Sequence, residues 1–135
     1  MISPDGKVLA FQTLESGKLV SYVAAFHAGG ATGRPIELKT SGSNWHKWSA
    51  DGKSLFVQDE RNHLLKVPVT TAPELAVGAP TEICDLDKLH IIMWSPIPGD
   101  RFLVGLKNQN EEEVASYNLV LDWTGILKGK MEAAR

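Results

Sequence analysis

A single cysteine, Cys84, among 135 residues has no partner within the chain, so no intramolecular disulfide can staple this fold. No apolar run approaches the roughly 18 residues of a membrane-spanning helix. The N-terminus likewise lacks a basic stretch followed by an apolar one, so no membrane span and no export signal are expected here. A targeting segment of a longer parent would lie outside these residues, and the compartment stays open. An excess of one charge is missing too: 14 Lys and Arg face 16 Asp and Glu, for a formal charge of −2. The basic residues are scattered, which denies the chain a face for neutralising phosphates and argues against a nucleic-acid partner.

What the chain does have is punctuation. With 12 Gly and 7 Pro against 43% hydrophobic residues, the composition favours many short elements over a few long ones. The punctuation is periodic. Ser3-Pro4-Asp5-Gly6-Lys7, Trp48-Ser49-Ala50-Asp51-Gly52-Lys53 and Trp94-Ser95-Pro96-Ile97-Pro98-Gly99-Asp100-Arg101 place serines at 3, 49 and 95, a constant step of 46 residues. A fixed period of this length points to a repeat architecture.

Each of the three phrases leads into an apolar run: Val8-Leu9-Ala10-Phe11, Leu55-Phe56-Val57 and Phe102-Leu103-Val104. Asp-Gly before such a run is a hairpin signal, because Gly accepts positive φ and Asp bonds its own backbone. The runs do not alternate with polar residues, which predicts strands covered on both faces. Second strands are expected near 19–24, 63–67 and 116–121. Ile36-Glu37-Leu38-Lys39 and Thr81-Glu82-Ile83 alternate apolar and charged residues, as an outer edge strand does. Asn44 to Trp48 and His90 to Trp94 supply innermost strands. Four antiparallel strands per 45 or so residues is the arithmetic of a β-propeller blade.

The fold class expected is therefore all-β, a partial propeller of three four-stranded blades at about 1–40, 43–84 and 90–123. The first blade lacks its inner strand and the last its outer one, and a short helical or disordered tail follows at 124–135. An arc of this kind exposes the flat faces of its terminal blades, so self-association or pairing with missing blades is expected.

Ser-Pro-Asp-Gly-Lys followed by Val-Leu-Ala-Phe, then Ser21-Tyr22-Val23, a Gly-Gly loop and Ile36-Glu37-Leu38, resembles the repeat of TolB-like propellers over nearly the whole chain. Leu65 to Thr71 with Gly78-Ala79-Pro80, and the ending with Arg101 to Val104, Glu111-Glu112-Glu113 and Asn118 to Trp123, are similar to a narrower group. These are the C-terminal propellers of bacterial serine/threonine protein kinases, especially of acidobacterial type. The resemblance implies a membrane-anchored parent with the propeller outside the cytoplasm. Two features depart from it. The third turn carries the extra residues Ile97 and Pro98, and no Gly-rich phosphate loop, catalytic-loop pattern or Asp-Phe-Gly is present, so no kinase activity is assigned to these residues.

Candidate binding residues follow from the inner strands, which line a propeller's channel. Asn44, Trp45 and His46 combine an amide, an aromatic and an imidazole suited to a peptide-contacting rim, and His90 holds the position 46 after Asn44. The plainer reading is that Trp45 or Trp48 packs between blades, since buried aromatics dominate core energetics. Cys84-Asp85-x-Asp87-x-x-His90 contains metal-ligand chemistry, but its spacing fits no zinc pattern and a lone Cys at a strand end is usually an inert small hydrophobe. Neither a metal nor a cofactor is expected. Gly29 to Arg34 lacks the Gly-Lys-Ser/Thr ending of a phosphate loop and reads as a flexible hairpin loop. No Gly-x-Ser-x-Gly elbow marks a nucleophile, and Glu111 to Glu113 read as a solvated loop.

The function expected from sequence is a non-enzymatic binding or sensing module for a protein or peptide ligand. The alternatives are a propeller accompanying a prolyl-peptidase-like hydrolase whose catalytic part is absent, or an inactive arc stable only through self-association.

Overall fold

The computed structural model describes residues 1–40, 42, 45–99 and 101–107, and every element in them is a β-strand. The first sheet joins β1 (Val8–Glu15), β2 (Lys18–His27) and β3 (Gly30–Glu37) in that order. The middle sheet runs β4 (Trp45–Trp48), β5 (Ser54–Gln58), β6 (His63–Thr70), with β7 (Ala76–Val77) and β8 (Thr81–Asp85) both pairing β6. A third sheet pairs β9 (Ile91–Ile97) with β10 (Arg101–Leu106). Among the described residues every pairing is antiparallel, and no sheet closes on itself. Asn44, the strand expected at 116–121, the loop at 111–113 and the tail at 124–135 lie outside the described residues.

Two of the repeated phrases build the same turn, bond for bond. Ser3 Oγ donates to Asp5 Oδ1 (2.6 Å) and accepts from the Val8 N–H (2.9 Å), while the Lys7 N–H donates to Asp5 Oδ1 (3.1 Å). One period later Ser49 Oγ donates to Asp51 Oδ1 (2.7 Å) and accepts from the Ser54 N–H (3.0 Å), and the Lys53 N–H donates to Asp51 Oδ1 (3.0 Å). Gly6 (φ +74°) and Gly52 (φ +70°) occupy the left-handed region that lets the chain reverse. The third phrase differs. Its two extra residues let the ladder run on, so Ser95 pairs with Leu103 inside the β9–β10 hairpin and the reversal falls at Pro98-Gly99.

Burial explains why β5 does not alternate. Leu55 and Val57 face the first sheet, where with Trp48, Val67 and Val69 they pack on Val8, Ala10, Val23 and Leu38. Phe56 faces the other way and joins Leu64, Cys84 and Leu86 against Ile91, Trp94, Phe102 and Val104 of the third sheet and its approach. The middle sheet is thus covered on both sides. Trp48 and Trp94, 46 residues apart, fill equivalent places in the two cores, each with its indole N–H engaged: Trp48 Nε1 on the Met1 carbonyl (3.4 Å) and Trp94 Nε1 on Gln58 Oε1 (2.8 Å). Ahead of β1 the first sheet has an isolated antiparallel bridge between Ile2 and Leu9.

Two expectations are corrected. Of the three apolar runs only 55–57 is covered on both faces, because Leu9, Phe11 and Leu103 lie on faces that the described residues leave half-buried or exposed. Gly29 to Arg34 is not a flexible loop, because His27 pairs with Gly30 and leaves only Ala28-Gly29 as a two-residue turn, with Gly30 onward in β3. Positive φ at Gly29 (+124°) and Gly33 (+77°) serves that turn and the irregular register opposite Val23 to Ala25.

The turn geometry yields a stability test. Ser49→Ala removes the contacts of a buried hydroxyl with Asp51 and with both the carbonyl and the N–H of Ser54, and strands that N–H, so unfolding in urea should show a loss of about 1–3 kcal/mol. A change within error of zero would contradict the role given to this serine.

Candidate binding cleft between the inner strands

Alternation along β4 separates two residues that are neighbours in sequence. His46 pairs with Val57 and Trp48 with Leu55, so both side chains turn toward the first sheet, whereas Trp45 and Lys47 turn toward the third. Trp45 and His46 therefore do not share one surface. Between β4 and β9 lies a cleft of about 330 Å³, lined by Trp45, Lys47, Gln58, Ile92, Met93 and Trp94.

The floor of this cleft is held rigidly. Lys47 Nζ donates to the Trp94 carbonyl (2.9 Å) and lies 5.5 Å from the centre of the Trp94 ring, an ammonium over an aromatic face. Gln58 accepts from Trp94 Nε1 and donates its own amide to Asn62 Oδ1 (2.9 Å). Above the floor the lining is apolar and open: Trp45 is 57% exposed, Ile92 65% and Met93 49%. Large hydrophobics left this accessible beside fixed polar groups suit a surface that grips a side chain.

The remaining candidates sit elsewhere. His90 falls in the turn after β8 with φ +55°, exposed, its N–H donating to the Asp87 carbonyl (3.0 Å) and its carbonyl accepting from the Lys107 N–H (2.8 Å). It precedes β9 rather than lying in it, and it does not line the cleft. Asn44 lies outside the described residues. Lys47, Gln58, Ile92 and Met93 were not singled out from sequence, although applying the two-residue period to β4 and β9 from the buried Trp48 and Trp94 would have placed Trp45, Lys47 and Met93 on the opposite faces.

The Cys84 motif disperses. Cys84 points into the second core, where burial pushes its thiol up to about 12. Asp85 pairs with Lys88 (3.4 Å) and Asp87 accepts from Asn62 Nδ2 (3.1 Å). Among the described residues no group of three or more His, Cys, Asp or Glu is arranged to hold a metal ion. His63 sits between Glu82 (3.3 Å) and Asp85 (3.8 Å), tying β6 to the outer strand β8.

His46 is the histidine that the stacking perturbs. Burial against the first sheet lowers its pKa, the N-terminal ammonium adds to this, and the Ala10 backbone opposes it; its Nδ1 is buried without a hydrogen-bond partner. A histidine whose folded pKa is depressed binds fewer protons in the native state than in the unfolded one. Stability is therefore fully present above the unfolded value near 6.5 and falls as pH drops below it. Melting temperature should decline between about pH 7 and pH 5, and His46→Phe should flatten that decline; an unchanged slope would remove His46 as its source.

No family model, no curated protein and no solved structure matches this chain.

Proposed function

We propose that the chain is an arc of a TolB-like β-propeller acting as a non-enzymatic recognition module for a protein or peptide segment. The reading rests on the 46-residue period, on antiparallel sheets stacked through repeated Trp-centred cores, and on one observation above the others. Trp45, Ile92 and Met93 are left open along the cleft between the two inner strands, over a floor locked by Lys47, Gln58 and Trp94. Aromatic and thioether side chains presented this way contribute contact area at low entropic cost, which is how peptide anchors are usually held. On the sequence resemblance, the parent protein is a receptor-type serine/threonine kinase of bacterial kind with this part outside the cytoplasm.

The test is selection of a random peptide library on the full chain. Enriched peptides should carry an apolar anchor, and Trp45→Ala should weaken them at least about tenfold while leaving the melting temperature unchanged. Failure to enrich any peptide, or equal binding by the variant, would refute the recognition reading.

A further inference from the structure

The repeat makes it possible to ask which face of each sheet is meant to be covered. The turn at Ser3 superposes in its hydrogen bonds on the turn at Ser49, so Leu9 and Phe11 correspond to Leu55 and Val57. The cross-strand register extends the match. Leu9 pairs with Ala24 as Leu55 pairs with Val67, and Val8 pairs with Ala25 as Ser54 pairs with Pro68, which sets Phe26 opposite the place of Val69. Ile2 bridges Leu9 as Trp48 pairs with Leu55.

In the middle sheet this set is the covered one. Leu55, Val57 and Val67 are 0% exposed and Val69 is 3%, all beneath the first sheet. In the first sheet Ala24, at the place of Val67, is buried, but no sheet of the described residues covers the larger members of the set: Leu9, Phe11 and Phe26 are only half-buried, Phe11 stacks on Tyr22 (5.7 Å between centroids), and Ile2 is 48% exposed where Trp48 is 7%. What covers the set in the middle sheet is the opposite face of a sheet of the same repeat. Among the described residues one such face is left open, that of the third sheet. There Leu103, paired with Ser95, points away from Trp94 and Val104 and is 41% exposed.

We propose that the outer face of the first sheet, centred on Leu9, Phe11 and Phe26, receives the open face of the third sheet, centred on Leu103, from a second copy of this chain, head to tail. Such a contact is heterologous and stays finite only if it closes into a ring. Counting the sheets of the described residues, two copies bring six, within the roughly four to eight of known sheet rings, so the assembly is a closed dimer with two identical contacts. The pairing of faces rests on register and burial alone. The copy number rests on the propeller reading, whose recognition role is tested separately by Trp45→Ala, a change outside both faces.

The experiment is light scattering on the full chain with a charge swap. Wild type should be a dimer at micromolar concentration. Phe11→Lys alone and Leu103→Glu alone should each be monomers with unchanged circular dichroism, because each spoils both contacts, and dimerisation should weaken at least about a hundredfold. Mixed, the two variants should recover a dimer, since one contact then sets Lys against Glu and the other is wild type. A monomeric wild type, a dimeric Phe11→Lys, a mass that grows without limit with concentration, or a mixture that stays monomeric would each overturn the proposal. A Phe11→Lys that fails to fold leaves the Leu103→Glu arm intact, and persistence of that variant as a dimer would overturn it equally.

Discussion

The contact on which this fold depends is a tryptophan driven between two sheets, Trp48 at the end of β4 and Trp94 in the middle of β9. Neither outer sheet has a core of its own. The first buries Val8, Ala10, Val23 and Leu38 only because Trp48, Leu55 and Val67 lie above them, and the third does the same through Trp94 against Phe56 and Leu64. An indole buries roughly 150–250 Å², more than any other side chain available here. It also carries an N–H, which in both places finds an acceptor, the Met1 carbonyl or Gln58. A smaller aliphatic residue at 48 or 94 would leave a cavity between the sheets.

The turns follow from the same constraint. A strand buried on both faces has no free side chain with which to announce its start, so the reversal before β5 is specified by Ser49, Asp51 and Gly52, each bonded to or shaped for the backbone. Asp59 repeats the device with different residues between β5 and β6, accepting from the N–H groups of Arg61 and His63 (2.9 and 2.8 Å), with Asn62 at φ +60°. Short polar side chains thus set register at the rims while the interior is left to aliphatic and aromatic packing.

These two devices explain what could be read in the sequence. The Ser-x-Asp-Gly phrase carries its hydrogen bonds locally, so the turns at 3 and 49 were legible, and so was the doubly covered strand at 55–57; the same lack of alternation at 8–11 and 102–104 misled, because Leu9, Phe11 and Leu103 lie on faces left half-buried or exposed among the described residues. The burial of Cys84 as a small hydrophobe was legible from its place at a strand end. Three further things were not. Trp45 and Trp48 look alike in sequence, and only the pairing with Gln58 and Leu55 shows one in the cleft and the other in the core. His90 matches the position of Asn44 by counting, but a helical-looking turn from Asp85 to His90, closed by the Leu89 and His90 N–H groups, holds it ahead of the strand. The glycines at 29–33 suggested slack where they serve a tight turn and an irregular register, a distinction that depends on the strand opposite. The resemblance to TolB-like repeats rests on the turns and strand phrases, which are where this chain's local physics is strongest.

The most direct measurement is a set of nuclear Overhauser contacts from the two indole rings in the folded chain. If the sheets stack as described, the Trp48 ring contacts methyl groups of Val8, Val23, Leu55 and Val67, hence both the first and the middle sheet, and the Trp94 ring contacts Phe56 and Leu64 together with Phe102 and Val104. Indole contacts confined to residues of their own hairpin would contradict the account.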